Sequence, residues 1–221
     1  MPPSRYTAIF SFALCCAPVY AGPDWVEQND AGSLVGLAQQ TLGVGQIHSI
    51  TGSLGGSTLV PDLEDMFLIT VTNPGAFSLT IPAADFDAQL FVFNVTQANE
   101  AFGLLANNNT ISGNSPLLTP FATDLTGAAL TQPGVYAIAV AGAGRYPVSL
   151  NGAIFNFGSP TEVSGPDGPG GLNPHIGWAG EGATGTYSVI LTGSGFYNTP
   201  APGTGITMLA FGLLAARRQR R

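Results

Sequence analysis

The side chains best able to do chemistry in this sequence are carboxylates. Asp62, Glu64 and Asp65 stand at the entrance of one apolar run, and Asp85 and Asp87 at the entrance of the next long one. Calcium takes roughly six to eight oxygens from carboxylates, carbonyls and water. A fold that brings the two entrances together would gather such a set. Asp62, Glu64, Asp65 and Asp87 are therefore the candidate Ca2+ ligands. Acids at strand entrances also discourage edge-to-edge pairing, so these residues have a second explanation that needs no ion.

Other chemistries find little support. The chain has no G-x-S-x-G elbow, H-E-x-x-H helix or phosphate-binding P-loop. It has no lysine, and its two cysteines, Cys15 and Cys16, both lie near the N-terminus. Schiff-base and thiol mechanisms are thereby excluded for the body of the chain. His48 and His175 stand far apart and share no pattern. A Ser-His-Asp triad assembled by folding stays open, but the expectation is a protein that is not an enzyme. Trp178 lies in a long Gly- and Pro-rich stretch. There it could stack on a sugar or another apolar ligand, as could Tyr197, or it could pin the stretch to the body.

Charge narrows the partners. The total is −7, but five of the six arginines lie at the termini. Residues 22–203 carry one arginine against thirteen acids, a net of −12. Such a body repels phosphate backbones, so no nucleic-acid partner is expected.

The elements that must position these residues read as strands. Residues 65–72, 76–81, 88–96, 135–141 and 186–192 are β-rich runs with period-two patterning. In the third run Phe91, Phe93 and Val95 share one face, and Leu90 and Val92 the other. Asn73-Pro74-Gly75 and Gln132-Pro133-Gly134 punctuate them as turns. Weaker strands are expected at 47–52, 102–106 and 147–150. Short strands at this spacing predict an all-β, antiparallel sandwich. Residues 157–185 read as a long loop, a length usually functional or mobile.

The two ends read as addresses. Arg5, the apolar stretch Ala8–Ala17 and the small-residue site ending at Ala21 form a secretory signal peptide over residues 1–21. Cleavage there would remove both cysteines. A lipoprotein signal is the rival, but Phe12-Ala13-Leu14 before Cys15 is a poor lipobox. At the other end, Pro200-Ala201-Pro202-Gly203 precedes an apolar run, Ile206–Ala216, and then Arg217, Arg218, Arg220 and Arg221. About eleven apolar residues are too few for an ordinary span, which needs about 20. The arginines would remain cytoplasmic. Short hydrophobic helices are expected at both termini, the C-terminal one giving transient membrane association. A permanent C-terminal anchor is the alternative.

The order Pro motif, apolar segment, arginine cluster resembles the PEP-CTERM sorting signal of two-membrane bacteria, here over residues 197–221. The resemblance implies processing at Pro200–Gly203 by an exosortase-type enzyme and delivery to the cell surface, outer membrane or extracellular matrix. The interior resembles a bacterial pre-peptidase C-terminal domain. The matching segments run from Ile50-Thr-Gly-Ser-Leu54 and Asp62-Leu-Glu-Asp-Met-Phe-Leu-Ile69 to Gly185-Thr-Tyr-Ser-Val-Ile-Leu-Thr-Gly193. That likeness implies a jelly-roll-type sandwich over residues 34–196, preceded by a linker over 22–33. It also implies an accessory, non-catalytic role, with Ca2+ or a polymer as the ligands some members bind. Family members often carry further acids where this chain has Asn107-Asn108-Asn109, which offers neutral oxygens only. The expected function is a secreted, non-catalytic β-sandwich acting by binding or as surface structure. The alternative is a carbohydrate- or polymer-binding, or Ca-dependent, accessory module for a separate secreted hydrolase. Polysaccharides and surface proteins are the expected partners.

Overall fold

The structure is a computed structural model that describes residues 24–57 and 59–197. The signal peptide, the motif at Pro200–Gly203 and both expected terminal helices lie outside the described residues. Among the described residues no helix is long and apolar enough to cross a membrane.

The described residues form fifteen strands: β1 (Trp25–Val26), β2 (Gln39–Gln40), β3 (Ser49–Ser57), β4 (Val60–Asp62), β5 (Glu64–Val71), β6 (Ser78–Thr80), β7 (Ala88–Val95), β8 (Ala101–Asn107), β9 (Leu117–Leu118), β10 (Gly134–Gly142), β11 (Tyr146–Ser149), β12 (Gly152–Ala153), β13 (Gly177–Ala179), β14 (Gly185–Thr192) and β15 (Ser194–Phe196). They build an all-β body. One sheet runs β1-β3-β14-β6-β9, with β4 extending β3. The second runs β15-β5-β10-β7-β8, with β2 beside β5. A small third sheet runs β12-β11-β13. The long pairings are antiparallel, as the sequence predicts. Two short ones, β1 with β3 and β2 with β5, are parallel, so the main sheets are mixed.

Alternation of side chains decides the layers. Ile50 and Leu54 of β3, Leu79 of β6 and Val189 and Leu191 of β14 face inward from the first sheet. They meet Phe67, Ile69 and Val71 of β5, Leu90 and Val92 of β7 and Ile138 and Val140 of β10. The opposite face of the second sheet is also covered. Met66, Leu68, Phe91, Phe93, Ala137 and Ala139 pack there against Ile154, Phe155 and Trp178. Both faces are thus buried, which is why β5, β7 and β10 read as nearly unbroken apolar runs. Each fully buried Phe contributes roughly 1.5–3 kcal/mol.

Part of the cover, Trp178 included, comes from residues 157–185, the stretch expected to be a long loop. It holds β13 and lies along the edge strand β8, where Ser164 exchanges backbone bonds with Ala106 and the His175 amide donates to the Ala101 carbonyl (2.7 Å). The edge that would otherwise be free for another chain is occupied by the protein's own backbone. Gly103 of β8 sits where this layer comes closest, and a Cβ there would collide with Ile154.

Candidate functional site

The parallel pairing of β1 with β3, Trp25 opposite Ile50, draws the N-terminal segment across the start of the sandwich. It carries Glu27 and Asp30 to the corner where β4 ends in Asp62 and β5 begins. There one carboxylate oxygen each from Asp30, Asp62 and Asp65 lie within 4.8 Å of one another. The Glu27 carboxylate lies against Asp65. It is held by the backbone amides of Ala31 (3.1 Å) and Ser53 (2.9 Å). Asp30 is exposed and accepts from the Gly32 amide (2.7 Å). Gly52 makes room for the group, since a Cβ there would collide with both the Tyr187 hydroxyl and Glu27.

Asp65 is the unusual member. It is 0% exposed, on the inward face of β5. Its Oδ2 accepts the Tyr187 hydroxyl (2.6 Å), while its Oδ1 is buried without a partner. A carboxylate left this way bears a desolvation cost that few buried polar groups carry. Burial first, then the charges of Glu27, Asp62 and Asp30, pushes its carboxyl up to about 8 against the bond from Tyr187. Burial and then Asp30, Glu27 and Glu64 push Asp62 up to about 6. Burial raises Glu27 as well, and burial with the Asp65 charge raises the Tyr187 hydroxyl. Such a cup relieves its own repulsion in two ways: by taking up a proton between Asp65 and Glu27, or by taking up a divalent cation. Oxygen-only donors around a carboxylate suit a hard cation such as calcium.

Of the four residues expected as ligands, the fold brings Asp62 and Asp65 together and places Glu64 and Asp87 elsewhere. Glu64 is next to Asp65 on the strand and so points to the opposite face. There it pairs with Arg145, Nε to Oε2 at 2.8 Å and Nη2 to Oε1 at 3.3 Å. Arg145 Nη1 also donates to the Gly180 carbonyl (2.8 Å). Asp87 precedes β7, and β10 lies between β7 and β5. Two strand spacings of about 4.8 Å therefore separate Asp87 from the cup. Its Oδ1 is buried and unpartnered in its own surroundings, and burial raises its carboxyl. Asp85 accepts from the Thr186 hydroxyl. Glu27 and Asp30 were not among the expected ligands. The signal for them was there: Asp24, Glu27 and Asp30 recur every third residue in a segment read as linker.

The aromatic candidate is occupied by the protein itself. Trp178 Nε1 donates to the Ser33 carbonyl (2.6 Å), and its ring stands edge-on to Phe91 at 5.2 Å. His175 lies between Phe93 (5.2 Å) and Trp178 (5.1 Å), 6% exposed, with neither ring nitrogen hydrogen-bonded. Burial pushes it down to about 4, so it is neutral near pH 7. The Tyr197 ring packs against the same layer. No family model matches the chain, and no curated protein matches it.

Proposed function

We propose that this chain is an exported, non-catalytic β-sandwich protein that acts at the cell surface or in the extracellular matrix by binding or as structure. Its N-terminal signal directs export. Its C-terminal Pro200–Gly203 motif, apolar segment and arginine cluster direct processing by an exosortase-type enzyme. The sandwich is of the pre-peptidase C-terminal, jelly-roll kind. Asp30, Asp62, Asp65 and Glu27 hold a calcium ion that fastens the N-terminal segment to the β4–β5 corner.

The observation that carries the binding reading is the Asp65 carboxylate. It is fully buried, its Oδ1 has no partner, and three further carboxylates stand around it. An ion there satisfies the orphan oxygen and offsets the mutual repulsion of the group. The test is thermal melting with calcium and with a chelator at pH 8. An ion at a hundredfold its dissociation constant adds about 2.7 kcal/mol, or about 5–11 °C for a domain of this size. An identical melting temperature in millimolar calcium and in chelator would refute the ion.

A further inference from the structure

The small third sheet and the end of β10 leave a shallow depression on the side of the molecule bearing the Glu64–Arg145 pair. It measures about 370 Å³ and is lined among others by Gln89, Asn108, Tyr146, Asn156 and Phe157. We propose that this depression is a binding site for a neutral, hydroxyl-rich polymer, a hexopyranose chain. The proposal rests on reading the chain as an exported binding protein, and it gives that reading a ligand class and a place.

The argument begins with the aromatic groups. The Tyr146 side chain is 38% exposed at the start of β11, and Phe157 is half-buried beside it. Phe155 closes the floor, 4% exposed and packed on Phe91 and Phe93. Tyr146 stands on β11, and Phe155 and Phe157 follow β12 in the segment that covers the second sheet. Sugar rings present flat C–H faces that suit such rings, with hydroxyls at their edges.

The polar groups are of matching kind. Three carboxamides, Gln89, Asn108 and Asn156, line the same depression. Carboxamides both donate and accept, as sugar hydroxyls do. Gln89 is held in place, with Nε2 donating to the Gly142 carbonyl (3.0 Å). Asn108 has a buried Oδ1 with no partner. An acceptor left so carries an uncompensated desolvation cost, which a donor supplied by a ligand would recover.

Charge then selects the ligand. Arg145, the one basic side chain among the described residues apart from the histidines, lines the depression, but its guanidinium is taken up by Glu64 and the Gly180 carbonyl. No uncompensated cation remains for a uronate or sulfate, and the body carries a net negative charge. A peptide strand would need an open sheet edge, and the adjacent edge of β8 is already bonded to Ser164 and His175. A neutral glycan is the polymer these groups fit.

The test uses the purified full chain in affinity electrophoresis against neutral polymers (starch, mixed-linkage β-glucan, glucomannan, xyloglucan) and acidic ones (alginate, polygalacturonate). Retardation is expected with at least one neutral polymer. Affinity for it should fall about tenfold or more in Tyr146→Ala and in Phe157→Ala. Titrating the matching oligosaccharide into 15N-labelled protein should shift amides at residues 89, 108, 144–146 and 155–159, a readout that needs no variant. The proposal is overturned if no neutral polymer retards the protein, or if acidic polymers retard it more. It is overturned too if the folded alanine variants bind as the parent does, or if the shifts map elsewhere. These outcomes concern the purified protein, so they stand or fall apart from whether the chain is exported and processed.

Discussion

Replacing Asp65 by Asn isolates the most costly group in the acidic cup. An Asn keeps a carbonyl to accept the Tyr187 hydroxyl but cannot ionise. In the ion-free protein the Asp65 carboxyl is pushed from an ordinary 3.8 up to about 8, chiefly by burial. The folded state therefore holds a proton that the unfolded state has already released, and stability is lost as pH rises towards 8. Below about 6.5 other groups confuse the slope, among them Asp62, raised to about 6, and His175, lowered to about 4, which acts in the opposite sense. The window from pH 6.5 to 8 is left largely to the proton that Asp65 shares with Glu27. One proton held across it is worth about 2 kcal/mol, or about 4–8 °C of melting temperature. Calorimetry in chelator should show the parent melting that much lower at pH 8 than at pH 6.5, with D65N nearly flat. Calcium at pH 8 should raise the parent and leave D65N unmoved. A parent flat or rising between pH 6.5 and 8, or a D65N slope equal to the parent's, would mean that Asp65 does not hold this proton.

Two further predictions follow from the charges elsewhere. Arg145→Met leaves the Glu64 carboxylate, 10% exposed, without its partner, and should cost roughly 3 kcal/mol in urea unfolding at pH 7; a loss below about 0.5 kcal/mol would contradict the pairing. His175→Phe replaces a buried, unpartnered imidazole with a ring that suits Phe93 and Trp178. Because the folded imidazole is pushed down to about 4, the parent loses stability through this group as pH falls from about 6.5 towards 4. The variant should gain on the parent by up to about 3 kcal/mol at pH 4, read as the difference between their urea midpoints across that range.

Much of the fold was legible because its strands are long. The runs at 65–72, 88–96 and 135–141 predict β5, β7 and β10, and the split of Phe91 and Phe93 from Leu90 and Val92 is the split between the two layers. The outer cover was less legible. β12 and β13 are two and three residues long, too short to show a period, and β13 lies within the Gly- and Pro-rich stretch read as loop. The site was half legible for similar reasons. Adjacency in sequence put Glu64 with Asp65, whereas alternation along β5 sends them to opposite faces. Asp87 is near in pattern but lies beyond β10. Glu27 and Asp30 reach the cup through a two-residue parallel pairing, a long-range contact that local pattern does not report.

Intact mass spectrometry of the surface-localised protein is the most direct test of the proposed export and trimming to a surface sandwich. The expected mature chain begins at Gly22 and ends within or near Pro200–Gly203. Surface protein that still carries residues 1–21 or 204–221 would contradict it.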